Sequence, residues 1–242
     1  MRIFVGWSQE SSCYREGGYT LIKDQKRGIF IAIDHADLGY GTLAAHGHAD
    51  ALSFQLFFRG VPVFVDPGTY NYHVPQGFRD KFRSTQEHNT ICIDRKNQSE
   101  ICGPFLWGKR HQVMNTEFSI KENVFLLKSK IKYDDSFHTR TILIKDNETF
   151  EITIFDEIKL SYKPQIIEQV FMLGSMCTIL NNRILCKDNF IDIESTAKRN
   201  CQKNEYSEVY NQLLPNTKLF YTVSDVREHT AKIKTSIKFK ES

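Results

Sequence analysis

The stretch LSFQLFFRGVPVFV, Leu52 to Val65, is interrupted only at Arg59-Gly60. Two short runs of apolar, β-branched and aromatic residues meeting at a glycine-bearing dipeptide read as a β-hairpin, and Asp66-Pro67-Gly68 marks the end of its second strand. The same texture extends in both directions. YTLI, GIFIAI, NTICI, VFLLKSKIKY, TILIK, TFEITIF, QVFML, NFIDI, KLFYTV and AKIKTSIKF are short and rich in β-formers, with turn residues between them at Asp146-Asn147 and Asn181-Asn182. Ala231 to Phe239 alternates apolar residues with Lys, Thr and Ser, as sheet with one wet face does. Helical periodicity of any length is missing. The expected fold is all-β, a large antiparallel β-sandwich with very little helix.

The 242 residues, 40% of them hydrophobic, suffice for a substantial core. No fixed repeat or low-complexity linker divides them, so residues 1–242 are read as one sandwich domain. Its motif-bearing core is 17–110, and 111–242 completes the sheets. No apolar run is long enough for a membrane span, and the opening MRIFVGWSQE lacks the basic start and apolar middle of a secretory signal. A net charge of +3 argues against general nucleic-acid binding. Between Arg79 and Arg110, however, seven basic residues face four acidic ones, which suits either an anionic ligand or a solvated mixed-charge face. The six cysteines show no CxxC pair and read mainly as free thiols in strands.

Just before the hairpin stands HGHADALSF, His46 to Phe54. In an extended segment His46, His48 and Asp50 would share one face, with Gly47 permitting close backbone approach between the histidines. Asp66, at the far end of the hairpin, returns toward His48, and His88 precedes a later strand. Two histidines and a carboxylate from separate elements can hold a divalent metal with an open position for water. Asp66 before Pro-Gly also suits a simple turn initiator, and His88 a loop residue without duty. Asp50 suits a supporting position that orients a histidine. Tyr70, Tyr72, Arg79 and Arg83 follow closely; a phenol can transfer a proton and a guanidinium can grip a carboxylate or sulfate, although paired tyrosines at a strand end are commonly packing residues.

The motif order HGHADALSF, VDPGTYNY, RDKFRSTQEHNTICID, NQSE and GPFLWG resembles the C-terminal β-sandwich half of the heparinase II/III family of polysaccharide lyases, whose relatives also act on alginate and other uronate polymers. The likeness is dense from Gly17 to Trp107 and diffuse beyond, where FHTR and YSEVYNQLLP look like later landmarks. The resemblance implies abstraction of the C5 proton of a uronic acid followed by β-elimination of the 4-linked sugar. It implies His46 as a proton-transfer residue, with Tyr72 in a substrate-contacting or acid role. Tyr70, Arg79, Arg83 and Asn89 would hold or shape the anionic substrate side. His48, Asp66 and His88 would bind a divalent metal, zinc by family habit, with Asp50 behind them. Family members also carry an N-terminal α/α toroid, for which the sixteen residues before Gly17 are too few. The implied partners are therefore an anionic polysaccharide and a separately encoded toroid, with a periplasmic or secreted location if the chain belongs to a longer lyase. The isolated chain is expected to be nearly inactive. Two other readings stay open: a non-catalytic carbohydrate-binding or structural module, and a uronyl C5 epimerase that shares the first proton abstraction. A metal-dependent cupin fits poorly, because no glutamate follows His48 until Glu87.

Overall fold

The computed structural model describes residues 11–147, 149–224, 226 and 229–239. Strands β1 (Ser12–Tyr14), β2 (Tyr19–Asp24), β3 (Ile29–Asp34), β4 (Phe54–Phe58) and β5 (Val61–Phe64) form a five-stranded antiparallel sheet in chain order. The β4–β5 hairpin turns at Arg59-Gly60 with φ of 51° and 73°, the left-handed pair whose twist matches antiparallel strands. Arginine is an unusual occupant of such a position. Its guanidinium lies 5.0 Å from the Phe58 ring and donates to Asn189 Oδ1 at 2.8 Å, which holds the turn against the neighbouring sheet.

A short helix α1 (Gln76–Phe82) and a 3-10 turn (Thr85–Glu87) lead to β6 (Ile91–Ile93) and the small ribbon β7 (Ile101–Gly103) with β8 (Leu106–Trp107). The remaining strands are β9 (Gln112–Lys121), β10 (Val124–Tyr133), β11 (Ser136–Asp146), β12 (Phe150–Lys159), β13 (Ile167–Met172), β14 (Cys177–Leu180), β15 (Arg183–Cys186), β16 (Asn189–Ser195), β17 (Lys198–Tyr206), β18 (Leu214–Val223) and β19 (Thr230–Phe239). Eight of all these form a sheet in the order β14-β15-β16-β19-β12-β11-β10-β9, and four form β17-β18-β13-β6. The architecture is the all-β sandwich expected from the sequence. Among the described residues no helix is long and apolar enough to cross a membrane.

The five- and four-stranded sheets join where the chain leaves β5: Val65 N–H bonds Met172 O at 2.9 Å and Gly174 N–H bonds Val63 O at 3.0 Å. This composite layer packs on the eight-stranded sheet. Inward residues Ile31, Ile33, Phe54 and Leu56 meet Phe125, Ile142, Ile144, Ile152 and Ile154, all at most 1% exposed, each contributing roughly 1.5–3 kcal/mol of burial. A second cluster of Leu52, Ile91, Ile131, Ile158 and Ile233 carries the core to the end of the sandwich where the polar residues of 46–90 gather.

One expectation fails. Cys177 and Cys186 are not free thiols but a disulfide, with Cα atoms 4.2 Å apart. The Asn181-Asn182 turn, left-handed at both positions, sets a register that puts the two residues directly opposite each other in the β14–β15 hairpin. Cys13, Cys92, Cys102 and Cys201 are free.

Between the layers lies a buried polar network built from the FHTR stretch. Arg140 and His138 on β11 both reach Asp156 on β12: Nε and Nη2 of Arg140 donate to the carboxylate at 2.8 and 2.9 Å, and His138 Nε2 lies 2.7 Å from Oδ1. Gln169 Nε2 adds a bond of 2.7 Å. Arg140 Nη1 then donates to the carbonyls of Leu52 and Asn89 at 2.7 and 2.6 Å, which ties the eight-stranded sheet to the segments carrying His48 and His88.

Candidate functional site

The segment from His46 to Asp50 is not the extended strand its alternation suggests. Gly47 N–H closes a turn onto Ala44 O at 2.8 Å, Ala49 N–H bonds Arg83 O at 2.9 Å, and β4 begins only at Phe54. A side chain on Gly47 would meet Ala44 O and the Gly39 backbone at 3.1–3.2 Å, tighter than most Cβ contacts, so glycine eases the close approach here. The turn separates the two histidines: His46 faces solvent, and His48 points inward.

Ligand-type atoms of His48, Asp50, Asp66 and His88 all lie within 4.8 Å of one another. His48 Nδ1 is 3.2 Å from His88 Nε2, and Asp66 Oδ2 is 3.4 Å from the same nitrogen. Four ligands at zinc bond lengths of about 2.0–2.1 Å stand roughly 3.3–3.4 Å apart along a tetrahedron's edges, so these separations suit one small divalent ion. Asp50 Oδ2, at 4.0 Å from His88 Nε2, is set further back. The orientation of His88 is fixed by the bond from its Nδ1 to Ser84 O at 2.8 Å, which leaves the Nε2 lone pair free for a metal. Asp66 serves both readings of its sequence: Oδ1 accepts from Gly68 N–H at 2.8 Å to make the turn, and Oδ2 faces His88.

The electrostatics point the same way. Burial, joined by repulsion from His88, lowers His48 to about 4, so it is a neutral imidazole with a lone pair to offer. Burial also pushes Asp50 well above the ordinary carboxylate value, helped by the charges of Asp34 and Asp66. Asp34, absent from the sequence-based set, rises to about 7, again chiefly through burial. It ends β3 opposite Tyr19, and that pairing raises the Tyr19 phenol through the Asp34 charge. A neutral His48 thus stands among the carboxylates of Asp50 and Asp66, and a bound cation would supply positive charge there. The purified chain is accordingly expected to hold about one divalent ion, lost in His48→Ala and His88→Ala along with the stabilisation a bound ion confers, about 2.7 kcal/mol at a hundred times its dissociation constant. Elemental analysis after dialysis, with thermal melting, checks this; no ion in any form would remove the site.

Beside this cluster is a second, more open arrangement. His46 Nδ1 lies 3.2 Å from Tyr72 Oη, and the rings meet edge to face at 5.4 Å. Phe105, on the turn between β7 and β8, packs against both, 6.2 Å from His46 and 5.8 Å from Tyr72. Arg79 lies beneath them, 4% exposed, its guanidinium 5.1 Å from the Tyr72 ring and 4.4 Å from Phe105. One nitrogen donates to Ala45 O at 3.2 Å, while Nε and Nη1 are buried without a hydrogen-bond partner. Arg79 is thus a cation under the floor of the site.

Three other sequence-predicted residues are placed elsewhere. Tyr70 packs on α1, 5.3 Å from Phe78 and stacked on Phe82 at 5.9 Å, and does not meet His46. Arg83 is 1% exposed, bound to Asp80 and Gly103 O, with its guanidinium 4.8 Å from the Trp107 ring. Asn89 is also 1% exposed; its amide donates to Phe54 O and Val65 O and accepts from Met172 N–H. These contacts stitch β4, β5 and β13 together, while Arg83 braces the β7–β8 ribbon. The side chains of both are turned into the protein.

The chain matches the family described as heparinase II/III-like, C-terminal, over residues 8–236. A search of curated protein sequences finds no match. Among solved structures, one described as a heparinase III gene product superposes with a TM-score of 0.77 at 18% identity, covering 96% of this chain and 36% of that one. A heparan sulfate lyase from Pedobacter heparinus gives 0.76 at 17%, with the same coverage. A further heparinase III gives 0.74 at 16%, covering 96% of this chain and 37% of its own. At such identities the structural likeness speaks for the fold. The chain spans little more than a third of the length of these lyases.

Proposed function

We propose that this chain, which belongs to the heparinase II/III-like C-terminal family, acts on a uronate-containing anionic polysaccharide by β-elimination, with His46 and Tyr72 as its proton-transfer pair. The observation that supports this best is the 3.2 Å contact between His46 and Tyr72 at the surface, beside the Arg79 cation. In β-elimination a base removes the C5 proton, the released electron pair forms the C4=C5 double bond, and the C4–O4 bond breaks as the leaving oxygen takes up a proton. Imidazole and phenol are suited to those two transfers, and their hydrogen bond lets one reset the other between turnovers. Arg79, beneath the rings, favours an anionic sugar above them.

His48, Asp66 and His88 would hold a divalent ion, zinc in this reading, which would cross-link the three segments that bear the site. Asp50 stands behind it, its carboxylate 4.0 Å from His88 Nε2. Neutralising the substrate carboxylate falls, in this reading, to an α/α toroid, which makes full activity a property of the two units together.

The test is to incubate the chain with uronate polymers, sulfated and unsulfated, with and without a family toroid, and follow the ultraviolet absorbance of the unsaturated uronate. Absorbance growing in the combined sample is the expected result. Binding without turnover in every combination would select a carbohydrate-binding module. Inverted uronate without absorbance would select a C5 epimerase.

A further inference from the structure

We infer that Tyr210, on the loop between β17 and β18, forms a sugar-stacking subsite next to the His46–Tyr72 pair; this rests on the carbohydrate reading of that site. Tyr210 is 54% exposed, and its ring centroid lies 6.1 Å from that of Tyr72 with 36° between the planes. Phe105, 44% exposed, flanks Tyr72 on another side at 5.8 Å and 33°. Three rings from three remote segments therefore meet in one aromatic cluster at the site. A pyranose presents one face of C–H groups to an aromatic ring and its polar groups at the rim, the complement of such a surface.

The loop is built to hold that ring still. Tyr210 Oη donates to Asn71 Oδ1 at 3.1 Å and accepts from Tyr72 N–H at 3.4 Å. Asn71 Nδ2 donates to Asn211 Oδ1 at 2.9 Å, and Asn211 N–H bonds Tyr70 O at 2.7 Å. Tyr70 and Asn211 both sit in the left-handed region, at φ of 63° and 62°, a costly conformation for a tyrosine. Nearby, Ser207 N–H bonds Pro67 O at 2.8 Å, and the Ser207 carbonyl packs so closely on Gly68 that a Cβ there would lie 2.0 Å from it. The phenol's polar edge is thus satisfied within the protein while much of its surface is left to solvent.

The test uses the full chain with Tyr210→Ala and Tyr210→Phe, titrated calorimetrically with a disaccharide and a tetrasaccharide cut from one uronate polymer. Tyr210→Ala is expected to weaken the tetrasaccharide about tenfold, the upper end of an aromatic contact, and to leave the disaccharide nearly unchanged. Tyr210→Phe, which keeps the ring and loses the hydroxyl, should bind both like the parent. The subsite is overturned if Phe is as damaging as Ala, if both ligands weaken equally, or if the parent binds neither. Tetrasaccharide binding that depends on Tyr210 without turnover in any combination would keep the subsite and discard the lyase reading.

Discussion

Arg140→Met is expected to cost about 3–5 kcal/mol of stability, because it removes the counter-ion of a carboxylate with no access to water. Asp156 is 1% exposed and Arg140 2%, and the arginine also caps the carbonyls of Leu52 and Asn89. Losing the guanidinium strands the two carbonyls and leaves the Asp156 carboxylate with only His138 and Gln169 as partners. Denaturant unfolding at neutral pH measures the loss. A double replacement, Arg140→Met with Asp156→Leu, should recover part of it, since exchanging a whole buried ion pair for apolar side chains is often near neutral. If the double variant is no better than the single, the cost lies in the backbone bonds and not in the stranded charge.

The pH dependence follows from the same network. Burial pushes Asp156 up, but Arg140 and His138 outweigh it and leave the carboxyl below its usual range. A depressed acid contributes stability that is whole above the unfolded value, about 3.9, and is lost as pH falls through the folded one. Burial also lowers His138, so the unfolded chain takes up that proton first, and stability begins to fall below about pH 6.5. Acid unfolding of the parent should therefore be gradual from that point. The Arg140→Met midpoint should lie at higher pH.

How much of this was legible in the sequence depends on how local the cause was. The Arg59-Gly60 and Asn181-Asn182 turns could be read because Gly60 and the two asparagines are local residues that accept the left-handed twist. The Cys177–Cys186 bond could not, since it depends on a register that a one-residue slip would destroy. His48, Asp66 and His88 do come together, yet the alternation argument used for HGHAD was the wrong reason: a turn, not a strand, divides the two histidines. Arg83 and Asn89 were assigned to the anionic substrate side by resemblance, since sequence does not say which way a guanidinium or an amide faces. Only the packing of Trp107 and the junction of β5 with β13 turn them inward. Asp34 had a weak signal as a carboxylate at a strand end. Tyr210 lies in YSEVYNQLLP, which the sequence marked as a landmark without a role, because what its ring meets depends on the loop folding back onto Asn71 and Tyr72.

Turnover by the chain combined with a toroid should fall about 10²–10⁴-fold in His46→Ala and again in Tyr72→Phe, the range expected when a positioned proton-transfer group is removed. Polymer binding should change little in Tyr72→Phe, because the ring retained there still meets Phe105 and Arg79. Neither substitution should move the melting temperature much, since His46 is exposed and Tyr72 only half-buried. Initial rates at saturating polymer, read as unsaturated-uronate absorbance, separate this loss of kcat from a loss of affinity. The double variant decides whether the two act as one unit. Joined by a 3.2 Å hydrogen bond, they can hand a proton between them only while both are present, so removing the second should cost little more than removing the first. Losses that multiply instead would mean that each residue acts on the substrate independently, and the pair would cease to be a relay.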